Sequence, residues 1–413
     1  MMVVERDVER EKEVEVEYTR LRIPFGPVHP ALKEPVSLRV SVRGEEVVDV
    51  DMVLGHVHRG IESLAEGRNL VQTLYLIERI CGICSHSHTT CFTQALEEIG
   101  GIIPSERALY LRTLIFEMER VHSHLLLLGV MAYEIGFDTL FMFTWNVREK
   151  VLDLFEKITG NRIHHAMNTI GGVRWDLTPQ IFEEINAYMK DIEKSVKYIY
   201  NIFTDGTVEK RIRGLGVLGY SEAVKLCVVG PTARGSGVNT DVRKDHPYAA
   251  YNDLKEDFSV VVRINGDVYA RTETRILEIF ESINIVRAIL DRLPNGPIRP
   301  EENVFRLMRK IPEGETVSLV EAPRGELLHF VKTDGKGGLR RLKVRTPTFS
   351  NLLGLKPMLT GCEIADIPVI VASIDPCLSC TNRVAIIDQR SGESKSVNMD
   401  VLRRMVRRKW MRQ

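Results

Sequence analysis

Glu78-Arg79-Ile80-Cys81-Gly82-Ile83-Cys84, with His88 close behind, and Asp375-Pro376-Cys377-Leu378-Ser379-Cys380-Thr381-Asn382-Arg383 place one Cys-x-x-Cys pair near each end of the chain. A single pair is open to zinc, redox and iron–sulfur readings. A zinc ribbon sets its two pairs about 15–20 residues apart, whereas most of this chain lies between them. A thioredoxin-type site needs only one pair beside a β-α-β unit, and neither pair has such surroundings. The arrangement favours two remote segments that converge so that four thiolates bind soft metals. The candidate ligands are Cys81, Cys84, Cys377 and Cys380.

The rest of the cysteine count agrees. Seven is an odd number for a disulfide framework, and the acidic N-terminus has no apolar core of a signal peptide, so the expected compartment is cytoplasmic. Cys91, Cys227 and Cys362 are expected to be ordinary buried residues, since a free cysteine packs as a small hydrophobe. With 56 basic against 56 acidic side chains the chain lacks the basic excess of a nucleic-acid binder. Its 44% hydrophobic and 27% charged content excludes wholesale disorder. No stretch approaches the ~18–20 apolar residues of a membrane span, so any membrane contact is expected to run through partners.

Around the cysteines the chain reads as α+β, mainly α: a central helical bundle with small antiparallel β elements near both ends. Residues 1–60 form an N-terminal arm and a small β element, a hairpin over Ser37–Leu54 turning at Arg43-Gly44. Residues 61–300 form the bundle that carries the first pair. Ser105 opens one long helix, Thr178-Pro179 a second, and a third runs from Val268 to Leu293. Residues 301–390 form an α+β part with a hairpin turning through Asp334-Gly335 and Gly337-Gly338, and carry the second pair. Residues 391–413 form a basic tail, read as a solvated helix or a docking segment for an acidic partner. No linker-like composition interrupts one continuous body.

Three tempting motifs are set aside. Gly214-Leu215-Gly216-Val217-Leu218-Gly219 satisfies G-x-G-x-x-G, but a dinucleotide site needs a preceding strand and an acid about 20 residues on within a β-α-β unit. His122 and His124 face different sides of a helix, and the adjacent His164 and His165 share that defect, so packing is the expectation for all four.

The cysteine stretches resemble the large subunit of the nickel–iron hydrogenases, and the Arg383 ending resembles their membrane-bound, energy-conserving respiratory branch. Glu321-Ala322-Pro323-Arg324-Gly325-Glu326-Leu327-Leu328-His329-Phe330 is similar to a further segment of that family. A second likeness overlaps the first. Gly26-Pro27-Val28-His29-Pro30, His56–Glu62, Gly230–Gly237 and Asp241-Val242-Arg243-Lys244 with Pro247-Tyr248 resemble the quinone-site subunit of complex I. Complex I has a quinone-binding tyrosine after the arginine matching Arg79, where this chain has Ile80.

The resemblance implies a nickel–iron centre at the four cysteines. It also implies Glu78 as a proton-relaying carboxylate, Arg324 over the iron's small ligands, and His88 as a third candidate catalytic residue. His29, Asp241, Arg243, Lys244 and Tyr248 resemble loops that link electron transfer to a membrane arm. Iron–sulfur clusters need about four thiolates each, so [4Fe-4S] clusters are expected in a partner, an iron–sulfur small subunit. A second hydrophilic subunit and integral membrane ion-pumping subunits complete the implied complex, with this chain peripheral on the cytoplasmic face. Nickel-bearing members are commonly cleaved after the residue matching Arg383. The continuation to Gln413 therefore tilts the reading toward the sulfane sulfur reductase version, which reduces polysulfide with coupled ion pumping. Hydrogen evolution and a non-catalytic scaffold are the alternatives.

Overall fold

The alternating stretch near the N-terminus folds as a three-stranded antiparallel sheet, β1 Leu21–Phe25, β2 Ser37–Arg43 and β3 Glu46–Val53, with Val40 opposite Val50. Leu38, Val40 and Val42 point into the core while Arg39 and Arg43 face out, the period-two pattern of a half-buried strand. The hairpin was expected; β1, which pairs with β2 from Leu21 to Phe25, was not. The structure is a computed structural model and describes residues 21–301 and 303–381, with the backbone alone of 386–387 and 394–395. The charged arm before Leu21, Arg383 and, apart from the backbone of 394–395, the basic tail lie outside the described residues.

The bundle follows: α1 Leu70–Glu78, α2 Ser85–Gly100, α3 Glu106–Glu134, α4 Asp138–Thr159, α5 Pro179–Thr204 and α6 Val268–Arg292. Side-chain caps satisfy free amides at the starts of α3, α5 and α6. Ser105 accepts from Ala108 N, Thr178 from Ile181 N ahead of Pro179, and Asp267 from Ala270 N. Helix α5 buries one stripe, Ile185, Met189, Ile192, Val196, Ile199 and Phe203. Helix α3 is buried nearly all round, because α4 and α6 pack on it from two sides. A Cβ on Gly129 of α3 would stand 2.2 Å from the Trp145 ring of α4, so only glycine allows that approach.

A second antiparallel sheet, β4 Glu315–Ala322, β5 Gly325–Thr333 and β6 Leu339–Arg345, contains the expected second hairpin plus the unanticipated β4. Helix α2 packs on β4 and β5, and α7 Ile367–Ser373 packs on α3 and leads to the second cysteine pair. One cluster of buried apolar residues extends from Phe25 to Cys380. Gly214–Gly219 joins two helices, residues 206–212 and 220–225, with no strand ahead of it.

Candidate metal centre

Cys81 and Cys84 follow the end of α1, and Cys84 is the residue before α2. Cys377 and Cys380 follow α7 in a short 3-10 turn. Arg59 clasps the two segments: its guanidinium donates to the carbonyls of Arg79 at 2.8 Å, Ile80 at 2.6 Å and Ser379 at 3.0 Å. Thr348 Oγ1 accepts from Cys377 N at 3.1 Å, and Thr346 Oγ1 donates to the Cys380 carbonyl at 3.2 Å.

All four sulfurs converge. Cys81 Sγ lies 3.3 Å from Cys377 Sγ, and Cys377 Sγ lies 2.9 Å from Cys380 Sγ. The donor atoms of Cys81, Cys377 and Cys380 lie within 4.8 Å of one another, as do those of Cys84, His88 and Cys380. None of the four thiols is more than 4% exposed. Cys81 Sγ accepts the amides of Ile83 and Cys84, both at 3.3 Å. Hydrogen bonds from Cys380 and Cys81 bring the Cys84 thiol down to about 7. Cys380 is pushed well up by burial and by its thiol neighbours. Four thiols this close hold their protons unequally because four adjacent negative charges repel one another. A bound cation removes that repulsion and deprotonates its ligands.

Arg324 supplies a fixed cation. It sits at the β4–β5 turn, its Nη2 2.7 Å from Asp375 Oδ1 and its Nε 2.7 Å from the Asp375 carbonyl. Nη1 reaches Ser123 Oγ at 3.3 Å. Burial disfavours its charge, but Asp375, Cys377, Cys81 and Cys84 together hold its pKa well above the ordinary value. The turn is placed by a backbone contact that side chains would block. Gly230 has φ +67°, and a Cβ there would stand 2.3 Å from Gly325 Cα and 2.5 Å from the Arg324 carbonyl.

Glu78 ends α1 and is buried. Its Oε1 accepts from Ala166 N and its Oε2 pairs with Arg79, each at 2.5 Å. His88 Nε2 lies 3.9 Å from Cys380 Sγ. Of the three expected catalytic side chains, Arg324 and His88 lie beside the thiols, whereas Glu78, three positions before Cys81, is held by Ala166 and Arg79.

The complex I-like residues fall elsewhere. His29 is half-buried against Phe25, and Lys244 lies over the Phe258 ring. Asp241, Arg243 and Tyr248 are buried, and the two charged residues belong to an ionic network. Asp241 pairs with Arg243 at 2.7 Å and Arg234 at 3.5 Å, and Arg243 with Glu117 at 3.2 Å. Arg234 pairs with Glu278 at 2.9 Å and Glu321 at 2.8 Å. Burial alone would raise the Glu117 carboxyl, but Arg120 and Arg243 hold it below its usual range. Sequence reasoning missed Glu117, Arg120 and Glu278, whose available signal was charge on helices buried nearly all round, and it gave Arg234 and Glu321 no role of their own within the segments it quoted. It also missed Asp375 as the partner of Arg324. The paired histidines behave as expected for packing: His122 accepts from Arg148 at 2.7 Å and His124 meets Glu278 at 2.9 Å. Of the remaining cysteines Cys91 is buried as expected, Cys362 is half-buried and Cys227 is exposed. Cys227 follows a short helix that ends at the surface, with φ 53°.

Residues 134–383 match the family described as the respiratory-chain NADH dehydrogenase 49 Kd subunit, and residues 59–130 match the nickel-dependent hydrogenases. The chain is 43% identical to the alpha subunit of the membrane-bound hydrogenase of Pyrococcus furiosus over 91% of this chain and 90% of that one. The chain belongs to this hydrogenase and 49 kDa-subunit family. A carbon monoxide-induced hydrogenase of Rhodospirillum rubrum is also 43% identical, over 87% of this chain and 99% of the relative. A chain of the membrane-bound sulfane sulfur reductase, an archaeal respiratory membrane complex, superposes with a TM-score of 0.83 at 32% identity, covering 88% of this chain and 98% of that one.

This member of the hydrogenase and 49 kDa-subunit family is an oxidoreductase subunit whose relatives sit in membrane respiratory complexes. Among the described residues no helix is long and apolar enough to cross a membrane. The donor set fits the metal site of the family's hydrogenase branch. Four buried thiols are soft ligands, and the cation of Arg324 offsets the negative charge they acquire on binding.

Proposed function

We propose that this chain is the metal-bearing large subunit of a membrane-attached, hydrogen-evolving complex. Cys81, Cys84, Cys377 and Cys380 would hold its nickel–iron centre. The convergence of all four thiols beside Arg324 supports this reading most directly, since a scaffold alone has no use for buried thiols held next to a fixed cation. When bound, such a centre supplies the two-electron interconversion of protons and hydrogen.

The chain's own residues do the rest. Arg59 holds the two ligand segments together, and Arg324 sets the positive field over the thiolates. With Glu78 Oε1 engaged by Ala166 N, Oε2 beside Arg79 is the oxygen that takes and returns a proton as a general acid–base group. An apolar cavity of about 370 Å³, lined by Leu127, Val130, Leu352, Leu355 and Val371, meets Arg324 and Asp375. An approach lined mostly by apolar side chains suits a small neutral molecule better than an anionic polysulfide, whose desolvation is costly.

Sulfane sulfur reduction, toward which the chain's length past Arg383 tilted the sequence reading, is the second reading. The likeness to the sulfane sulfur reductase complex favours it; the length itself does not discriminate. In either case electrons arrive from [4Fe-4S] clusters of an iron–sulfur small subunit. A second hydrophilic subunit and integral membrane ion-pumping subunits complete the proposed complex, with this chain peripheral on the cytoplasmic face.

The test is nickel and iron analysis of the purified complex, with hydrogen and sulfide measured from the same reduced viologen donor. Stoichiometric nickel with hydrogen as product is the expected result. Sulfide formed by a nickel-free complex would overturn it and select the second reading.

A further inference from the structure

His329, on β5 opposite Ser318 of β4, belongs to none of the roles assigned so far. Its Nε2 lies 3.2 Å from His88 Nδ1, the two ring centroids are 5.4 Å apart, and both residues are wholly buried. On its far side His88 Nε2 faces Cys380 Sγ at 3.9 Å. The three groups form a file from the second sheet to a candidate metal ligand. His329 Nδ1, at the file's outer end, has no hydrogen-bond partner.

We propose that His329 is a positioning residue: its Nε2–H donates to His88 Nδ1 and so fixes His88 in the tautomer whose Nε2–H points at the Cys380 sulfur. The inference deepens the reading of the four cysteines as metal ligands and rests on it. Both rings are wholly buried and His329 Nδ1 has no hydrogen-bond partner, which leaves neither ring an acceptor for a second N–H. A neutral imidazole has one N–H and one bare nitrogen. A metal-bound Cys380 is a thiolate and only accepts, so the ring nitrogen facing it must carry the proton. His88 Nδ1 is then bare, and the side-chain group within reach of it is His329 Nε2, which must donate. His329 Nδ1 is in turn bare, and it is this atom that lacks a partner.

The opposite polarity ends differently. A Cys380 S–H donating to His88 Nε2 would put a proton on His88 Nδ1 and another on His329 Nδ1, burying an N–H with no acceptor. Unpaired buried N–H groups are rarer in native structures than unpaired acceptors. A neighbour that orients a ligand-contacting histidine by setting its tautomer is a recurrent device at metal centres.

The test is nitrogen-15 solid-state NMR of the purified complex with labelled histidine, the His88 signals being assigned by their loss in His88→Gln. A bare, hydrogen-bonded Nδ1 and a protonated Nε2 on His88 are expected. In His329→Leu the His88 tautomer should become mixed and turnover per bound metal should fall roughly tenfold. His329→Gln, whose amide can still donate to Nδ1, should restore both. A protonated His88 Nδ1 in the unmodified complex overturns the proposal, as does an unchanged His88 signal in His329→Leu. If His329→Leu fails to assemble, the tautomer of the unmodified complex still decides. Metal content of the same sample shows separately whether the reading of the cysteines has failed.

Discussion

Arg324 binds Asp375 twice, Nη2 to Oδ1 and Nε to the backbone carbonyl, both at 2.7 Å. Asp375 has φ 55°, an unusual backbone setting for a residue with a side chain, and it stands two positions before Cys377. The arginine fork therefore holds the bend that aims the second cysteine pair at the first.

Arg324→Lys should lose this bidentate hold while keeping the charge, because an ammonium cannot bridge the two acceptors in fork geometry. Metal content and turnover should fall at least tenfold. Arg324→Met, which leaves Asp375 buried and unpaired, should also cost about 3–5 kcal/mol in chemical denaturation. Full metal content in Arg324→Lys would contradict this account.

Serine at Cys81, Cys84, Cys377 or Cys380 should abolish metal retention, since a hydroxyl is a hard and weakly acidic ligand. Cys227→Ser is the control. Being exposed, it should retain metal and change stability by less than about 0.5 kcal/mol. Metal analysis and thermal melts separate the two classes.

Arg59→Lys should loosen the clasp between the cysteine segments, because one ammonium cannot serve three carbonyls spread over two loops. Slower metal uptake with an intact fold, followed by circular dichroism and metal release to a chelator, is the expected result.

Arg234→Met should destabilise the chain by about 3–5 kcal/mol, since it leaves Glu278 and Glu321 as buried carboxylates short of a partner. Double-mutant cycles with Glu321→Gln should show coupling above about 0.5 kcal/mol.

Stability should fall on acidification from near neutrality. Burial lowers His165 to about 3, and lowers His124 to about 4 even though Glu278 opposes it, against an ordinary value of 6.5. A group lowered on folding contributes stability above its unfolded value and loses it as pH falls toward the folded one. The denaturation midpoint should therefore drop steadily from about pH 6.5 toward pH 4. Asp241, held to about 2 by Arg243 and Arg234 against the cost of burial, adds loss only below about pH 4. A midpoint flat from pH 7 to pH 4.5 would refute the histidine contribution.

Much of this was legible in sequence because it rests on local rules. Caps at Ser105 and Thr178 mark two helices, a third reads from Val268 to Leu293, and alternation at Ser37–Val53 marks a hairpin. The Cys-x-x-Cys spacings marked the four thiols that converge. Strands β1 and β4 escaped notice because their partners, not their own short sequences, make them strands. The complex I-like segment at Asp241–Tyr248 read as a loop, since polarity along the chain says nothing about charges brought from α3, α6 and β4 to neutralise it.

The sequence by itself determined the helical class, the two cysteine pairs and the family to which they belong, since these depend on residue type and near spacing. Only the tertiary structure decided which groups meet. Arg59 spans the two ligand loops, Arg324 finds Asp375, and His329 reaches His88 across 241 positions of chain. Such contacts come from packing sheets and helices around one core, and no local pattern along the chain encodes them.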